Sequence, residues 1–130
     1  MCAGSPAVVV AVAHRALRHF VVELLEQDQV RWRLHAVAER GDLAAAVTSA
    51  GPDLVVLADR DLSWCLEVLP NFAPHRVIII GPDPDPAYER AARRAGVGAW
   101  LPSDRVAEDL VVSMHRVLGC THDPCARPAA

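Results

Sequence analysis

Short apolar runs that alternate along the chain with stretches of helical periodicity constrain its fold more than any other feature. Val8 to Val12 and Val77 to Ile80 are mostly β-branched and carry no polar residue, the pattern of strands buried on both faces. Leu54 to Leu57, Arg33 to Glu39 and Ala99 to Leu101 read as three further strands. The intervening segments predict helices. From Arg15 to Gln27, Leu17, Phe20, Val21, Leu24 and Leu25 recur at three- and four-residue steps and should form a stripe lying on the sheet. Asp42 should N-cap a helix through Leu43, Ala46 and Val47 that ends before Gly51-Pro52. Ser63 or a neighbour should start a third helix through Leu66 and Leu69, stopped by Pro70. A fourth should run from about Ala87 to Gly96, where glycine can adopt the left-handed cap. Ser103 or Asp104 should cap a fifth that buries Val106, Leu110, Val111, Met114, Val117 and Leu118.

Five strands alternating with five helices require a parallel sheet covered on both faces, because parallel strands need crossover connections and those are right-handed. The expected fold is α/β and doubly wound, with strand order 2-1-3-4-5. Residues 1–119 should form one domain, and residues 120–130, a Pro/Ala tail without periodicity, a flexible tail or interdomain linker.

Composition removes several function classes. The net charge of −3 argues against nucleic-acid binding by this domain itself. Ala7 to Ala13, the longest apolar run, is too short to span a bilayer and lacks a preceding cation, so neither a membrane span nor a secretory signal is expected and the localisation should be cytoplasmic. Cys2, Cys65, Cys120 and Cys125 then read as thiols. All 13 cationic side chains are Arg, so a mechanism needing a lysine ammonium is excluded. That bias, with abundant Ala, suggests a GC-rich bacterial genome.

Certain motifs stand in a telling order. Val8-Val9-Val10-Ala11-Val12-Ala13-His14 precedes Leu24-Leu25-Glu26, and Gly51-Pro52-Asp53-Leu54-Val55-Val56-Leu57 follows. Next come Arg76-Val77-Ile78-Ile79-Ile80, Arg94-Ala95-Gly96-Val97-Gly98-Ala99-Trp100-Leu101-Pro102 and Glu108-Asp109-Leu110. Over roughly Ala7 to Gly119 the chain resembles the flavodoxin-like receiver domain of bacterial response regulators, above all the LuxR/NarL-like type joined to a helix-turn-helix, and within it an atypical, actinobacterial pseudo-receiver.

The resemblance implies a site, and the residues depart from it. Receivers accept a phosphoryl group on an aspartate ending the third strand, with magnesium held by that aspartate and an acidic pair after the first, because a hard dication needs carboxylate or carbonyl oxygens. Here the acidic pair maps to Val12 and Ala13, and the phosphoacceptor to Ala58, six residues after Pro52. The hydroxyl that senses the phosphoryl group maps to Gly81 and its lysine partner to Ser103. These five positions form a degenerate pocket of small, mostly apolar side chains at the carboxyl ends of the strands, where open sheets admit ligands. The loop after the third strand, Asp59-Arg60-Asp61-Leu62-Ser63-Trp64, is one residue short of the usual pattern.

Other residues carry weaker signals. Asp59 is a candidate displaced phosphoacceptor, although with Asp61 it reads better as a solvated loop acid; His14, Asp59 and Pro82 would lie at the pocket mouth, with His14 serving as ligand contact or helix cap. Cys120, His122 and Cys125 match no common zinc spacing, so neither metal nor cofactor is expected. Trp100 takes the place of the aromatic residue that changes rotamer in working receivers. With Arg90, Arg93, Arg94, Val106, Leu110 and Met114 it marks the candidate partner or dimer face. The expected function is non-enzymatic: a phosphorylation-independent regulatory and dimerisation domain of a transcriptional regulator whose DNA-binding part follows, set by a small apolar ligand or a protein partner. The alternative is a stand-alone protein-interaction adaptor.

Overall fold

The computed structural model describes residues 4–59, 61–69, 71–81 and 85–119. Five strands, β1 (Ala7–Val12), β2 (Arg33–Val37), β3 (Leu54–Ala58), β4 (Val77–Gly81) and β5 (Ala99–Pro102), pair in parallel in the order β2-β1-β3-β4-β5. Between and after them lie α1 (Arg15–Glu26), α2 (Leu43–Ala50), α3 (Leu62–Glu67), α4 (Pro86–Arg94) and α5 (Val106–Leu118). The α/β fold and the strand order are those the sequence predicts.

The two faces of the sheet separate by residue parity, as strand geometry requires. Val8, Val10, Val12, Val56, Ile78 and Ile80 pack beneath α1 and α5 with Val21, Leu25, Leu110 and Met114. Val9, Val55, Leu57, Val77, Ile79 and Trp100 pack against Leu43 and Ala46 of α2, Cys65 of α3 and Ala92 of α4. Residues on both faces of the central strands, among them Val8, Val9, Val10, Val55, Ile78 and Ile79, are fully inaccessible, which is why these strands read as continuous apolar runs rather than alternating ones. The α1–β2 connection is fastened to α5 by one carboxylate: Asp28 Oδ2 accepts from Trp32 Nε1 at 2.8 Å and lies 2.8 Å from His115 Nε2.

Several local expectations are corrected. Phe20 lies off the α1 stripe, which centres on Leu17, Val21, Leu24 and Leu25, and is 40% exposed. Asp42 precedes α2 but makes no side-chain cap, because a 3₁₀ turn over Arg40–Asp42 has already given it helical backbone angles. Ser103 and Asp104 likewise sit in a 3₁₀ turn, and α5 starts at Val106 without a side-chain cap. Aspartates cap α3 and α4 instead. Asp61 Oδ1 accepts from Trp64 N at 3.0 Å and Asp85 Oδ1 from Tyr88 N at 3.1 Å, so α3 starts at Leu62, the neighbour of Ser63, and α4 at Pro86, within the expected bounds. β2 stops at Val37 rather than Glu39, and β4 continues to Gly81, which pairs with Pro102.

Candidate functional site

Parallel pairing brings the carboxyl ends of the strands together, with Val12 opposite Ala58 and Ala58 opposite Ile80. Ala13, Ala58, Gly81 and Ser103 line one open cleft of about 440 Å³ with His14, Leu17, Asp59 and Ile80. Val12 does not join them. Its side chain is buried among the residues under α1 and α5, and it lines instead an adjoining pocket of about 30 Å³ with Arg40, Asp59 and Trp64. Pro82 lies outside the described residues, as do Arg60 and the segment holding Cys120, His122 and Cys125.

The cleft's charges are matched from within the chain. Asp59 is not a freely solvated acid: Arg40 Nε lies 3.1 Å from its Oδ2, while its Oδ1 accepts from Arg40 Nη2 at 3.2 Å and from Asp61 N at 2.8 Å. This two-pronged guanidinium contact fixes the carboxylate's plane. Arg40 itself stacks on Trp64, its Cζ 3.9 Å from the ring centroid. The Tyr88 hydroxyl donates to the Asp59 carbonyl at 2.7 Å, tying the same loop to α4. At the end of β1, Arg18 Nη1 donates to the carbonyl oxygens of Val12 at 2.9 Å and Ala13 at 3.2 Å. His14 is the N-cap of α1, its Nδ1 accepting from Leu17 N at 3.3 Å.

This donor set does not fit the magnesium ion that the receiver resemblance implies. Val12, Ala13 and Ala58 bring no side-chain oxygen, the β1 carbonyls already hold a guanidinium, and Asp59 is held by Arg40. A hard dication needs several oxygens at once, and here each would have to displace a bonded arginine.

The partner face changes more. Val106, Leu110 and Met114 are wholly buried and Trp100 is nearly so, because α5 turns its apolar stripe inward onto the sheet. They cannot meet a partner in this state. Arg90, Arg93 and Arg94 are exposed on α4. A polar groove of about 670 Å³ runs between α4, β5 and α5, bordered by Glu89, Arg93, Arg105, Asp109 and Arg116, with Val112 61% exposed.

Trp100 is held inward by an absence. A Cβ on Gly81 would overlap Cζ2 of the indole and stand 2.8 Å from Cε2, so only glycine leaves room for the ring. Ile79 is paired with Trp100, and Gly81, two residues on, shares its face of the sheet. The indole also meets Tyr88, centroids 5.8 Å apart. Its Nε1 is buried without a partner among the described residues.

Beneath the loop, Cys65 is fully buried. Burial first, then the nearby Asp59 charge, pushes its thiol from 9.0 up to about 12, and Tyr88 is raised for the same leading reason. The folded state thus binds a proton more tightly than the unfolded state does, so this cysteine's contribution to stability is intact below pH 9.0 and is lost as pH rises towards about 12. We expect Cys65 to resist a thiol-reactive disulfide reagent at neutral pH until denaturant is added, and Cys65→Ala to flatten the alkaline loss of stability. Rapid labelling of the native protein at Cys65, mapped by peptide mass, would contradict this.

No family model matches the chain, and no curated protein matches it significantly. Solved structures do. A LuxR-family DNA-binding response regulator from Staphylococcus aureus superposes with a TM-score of 0.71 at 22% identity, covering 87% of this chain and 98% of that one. A LuxR-family two-component response regulator from Aurantimonas sp. SI85-9A1 gives 0.77 at 16%, covering 89% and 86%. The response regulator 1452 receiver domain from Francisella gives 0.75 at 15%, covering 90% and 99%. The fold is that of response-regulator receiver domains.

Proposed function

We propose that the chain is a phosphorylation-independent receiver-like signalling domain, the regulatory half of a transcriptional regulator, set by a small apolar ligand or a protein partner. The observation that carries the reading is the cleft itself. The positions that would hold metal and accept a phosphoryl group are Val12, Ala13 and Ala58, and the adjacent carboxylate of Asp59 is bonded to Arg40. A transferring phosphoryl group needs its developing charge neutralised by a preorganised cation, and both arginines here are committed to protein oxygens.

The LuxR-family names of two of the similar structures support a transcriptional role, with DNA contacted through a separate domain. The output face in this reading is the groove between α4 and α5, where Glu89 pairs with Arg93, Arg105 pairs with Asp109, and Val112 stands exposed. Mixed charges around an apolar centre suit a protein partner or a second copy. Incubation with acetyl phosphate and magnesium, followed by intact-mass measurement, tests the reading. No phosphoryl adduct is expected, on Asp59 or elsewhere. A hydroxylamine-labile adduct of phosphoryl mass would overturn it.

A further inference from the structure

The strand-end cleft combines apolar walls with a hydrogen-bond donor that is unmatched among the described residues. Leu17, Ile80, Ala13, Ala58 and Gly81 supply the apolar surface, in a volume within the range of small-molecule sites, about 300–1,000 Å³. Its carboxylate is not available to a ligand, since Asp59 uses both oxygens on Arg40 and the Asp61 amide. His14 is different. Its Nδ1 accepts the Leu17 amide hydrogen, so the ring hydrogen sits on Nε2, and that N–H has no protein partner among the described residues. His14 also sits at the first turn of the 12-residue α1, whose aligned peptide dipoles favour negative charge.

We propose that the cleft binds an amphipathic small molecule with an apolar, ring-sized body and an anionic, hydrogen-bond-accepting head, the body against Leu17 and Ile80 and the head on His14 Nε2–H. This deepens the ligand-controlled reading above and rests on it. Arg18 and Arg40 make such a ligand tolerable: Asp59 is neutralised and the β1 carbonyls are occupied, so these groups of the cleft do not repel the head.

Two fluorescent probes that share an aryl body test this. 1-Anilinonaphthalene-8-sulfonate carries an anionic head, and N-phenyl-1-naphthylamine has none. The sulfonate is expected to bind the folded domain saturably at one site, and the headless probe about 10-fold more weakly, the size of a single charge-assisted hydrogen bond. Ala13→Trp, which fills the cleft from an exposed position, should abolish binding of both probes. His14→Ser retains a capping oxygen for α1 but removes the ring donor, and should bring the sulfonate down to the affinity of the headless probe. Equal affinities for the two probes, binding unchanged in Ala13→Trp, or the absence of saturable binding would overturn the proposal. A phosphoryl adduct in the acetyl-phosphate experiment would instead overturn the functional reading, so the two failures are separable.

Discussion

Gly81→Thr, which returns a hydroxyl to the end of β4, is expected to destabilise the domain by about 3 kcal/mol and to confer no phosphoryl chemistry. A side chain at Gly81 occupies the space of the Trp100 indole, with Cε2 2.8 Å from the new Cβ and Cη2 3.0 Å away. The ring cannot yield cheaply, because it is enclosed by Tyr88 and the α4 side of the core. Either β4 shifts against β5 or the indole leaves. Denaturant titration should show the midpoint falling, and tryptophan emission should move to longer wavelength as Trp100 meets water. The pairing is specific: Trp100→Val, although it leaves a cavity of its own, vacates the space the new side chain needs, so the double variant should lose clearly less than the two single losses added together, a coupling that independent sites would not show. Unchanged stability with unchanged emission in Gly81→Thr would contradict this packing of the indole against the strand.

Gly98→Ala is the second large effect, expected to cost about 2–3 kcal/mol. Gly98 lies just before β5, its N–H donating to the Val77 carbonyl at 2.8 Å. An added methyl would fall on the carbonyl oxygen of His75, in the 3₁₀ turn that leads into β4, and 2.9 Å from Val117 Cγ2 of α5. A side-chain tip can rotate away, but a peptide carbonyl on a short turn cannot, so the substitution has to push β5 from β4 or α5 from the sheet. Urea unfolding measures the loss. A drop below about 0.5 kcal/mol, the range of an ordinary surface change, would mean that the β4–β5 corner has room for a methyl group.

The legible parts of this fold are the parts with local causes. Runs such as Val8 to Val12 and Val77 to Ile80 declare buried strands because both faces of the sheet are covered, and the alternation of strands with helices declares a parallel sheet, whose expected order 2-1-3-4-5 is the one found. The misread parts depend on distant contacts or on short turns. Asp59 reads as a solvated acid because its partner, Arg40, lies 19 residues earlier, in the 3₁₀ turn after β2, which comes near only because β2 and β3 both pair with β1. The caps expected at Asp42 and Ser103 are displaced by 3₁₀ turns, which carry no periodicity to recognise. Val106, Leu110 and Met114 belong to a stripe whose inward direction is plain from spacing, and burial rules them out as a docking surface. The dependence of Trp100 on Gly81 joins two strands and leaves no mark in either alone, although a glycine ending a buried strand is a recognised sign of close approach.

Arg18 and Arg40 give the cleft its chemical character. A site whose oxygens are held by permanently charged guanidinium groups has its cations built in, and does not require a metal to balance them. Amide resonances of Ala13, Ala58 and Asp59, followed while magnesium is added to the millimolar range at constant ionic strength, report on this directly. The shifts should stay flat or drift without saturation. A saturable, localised change at those three amides would show that the dication competes successfully with the arginines, and a cleft with its own built-in cations would be ruled out.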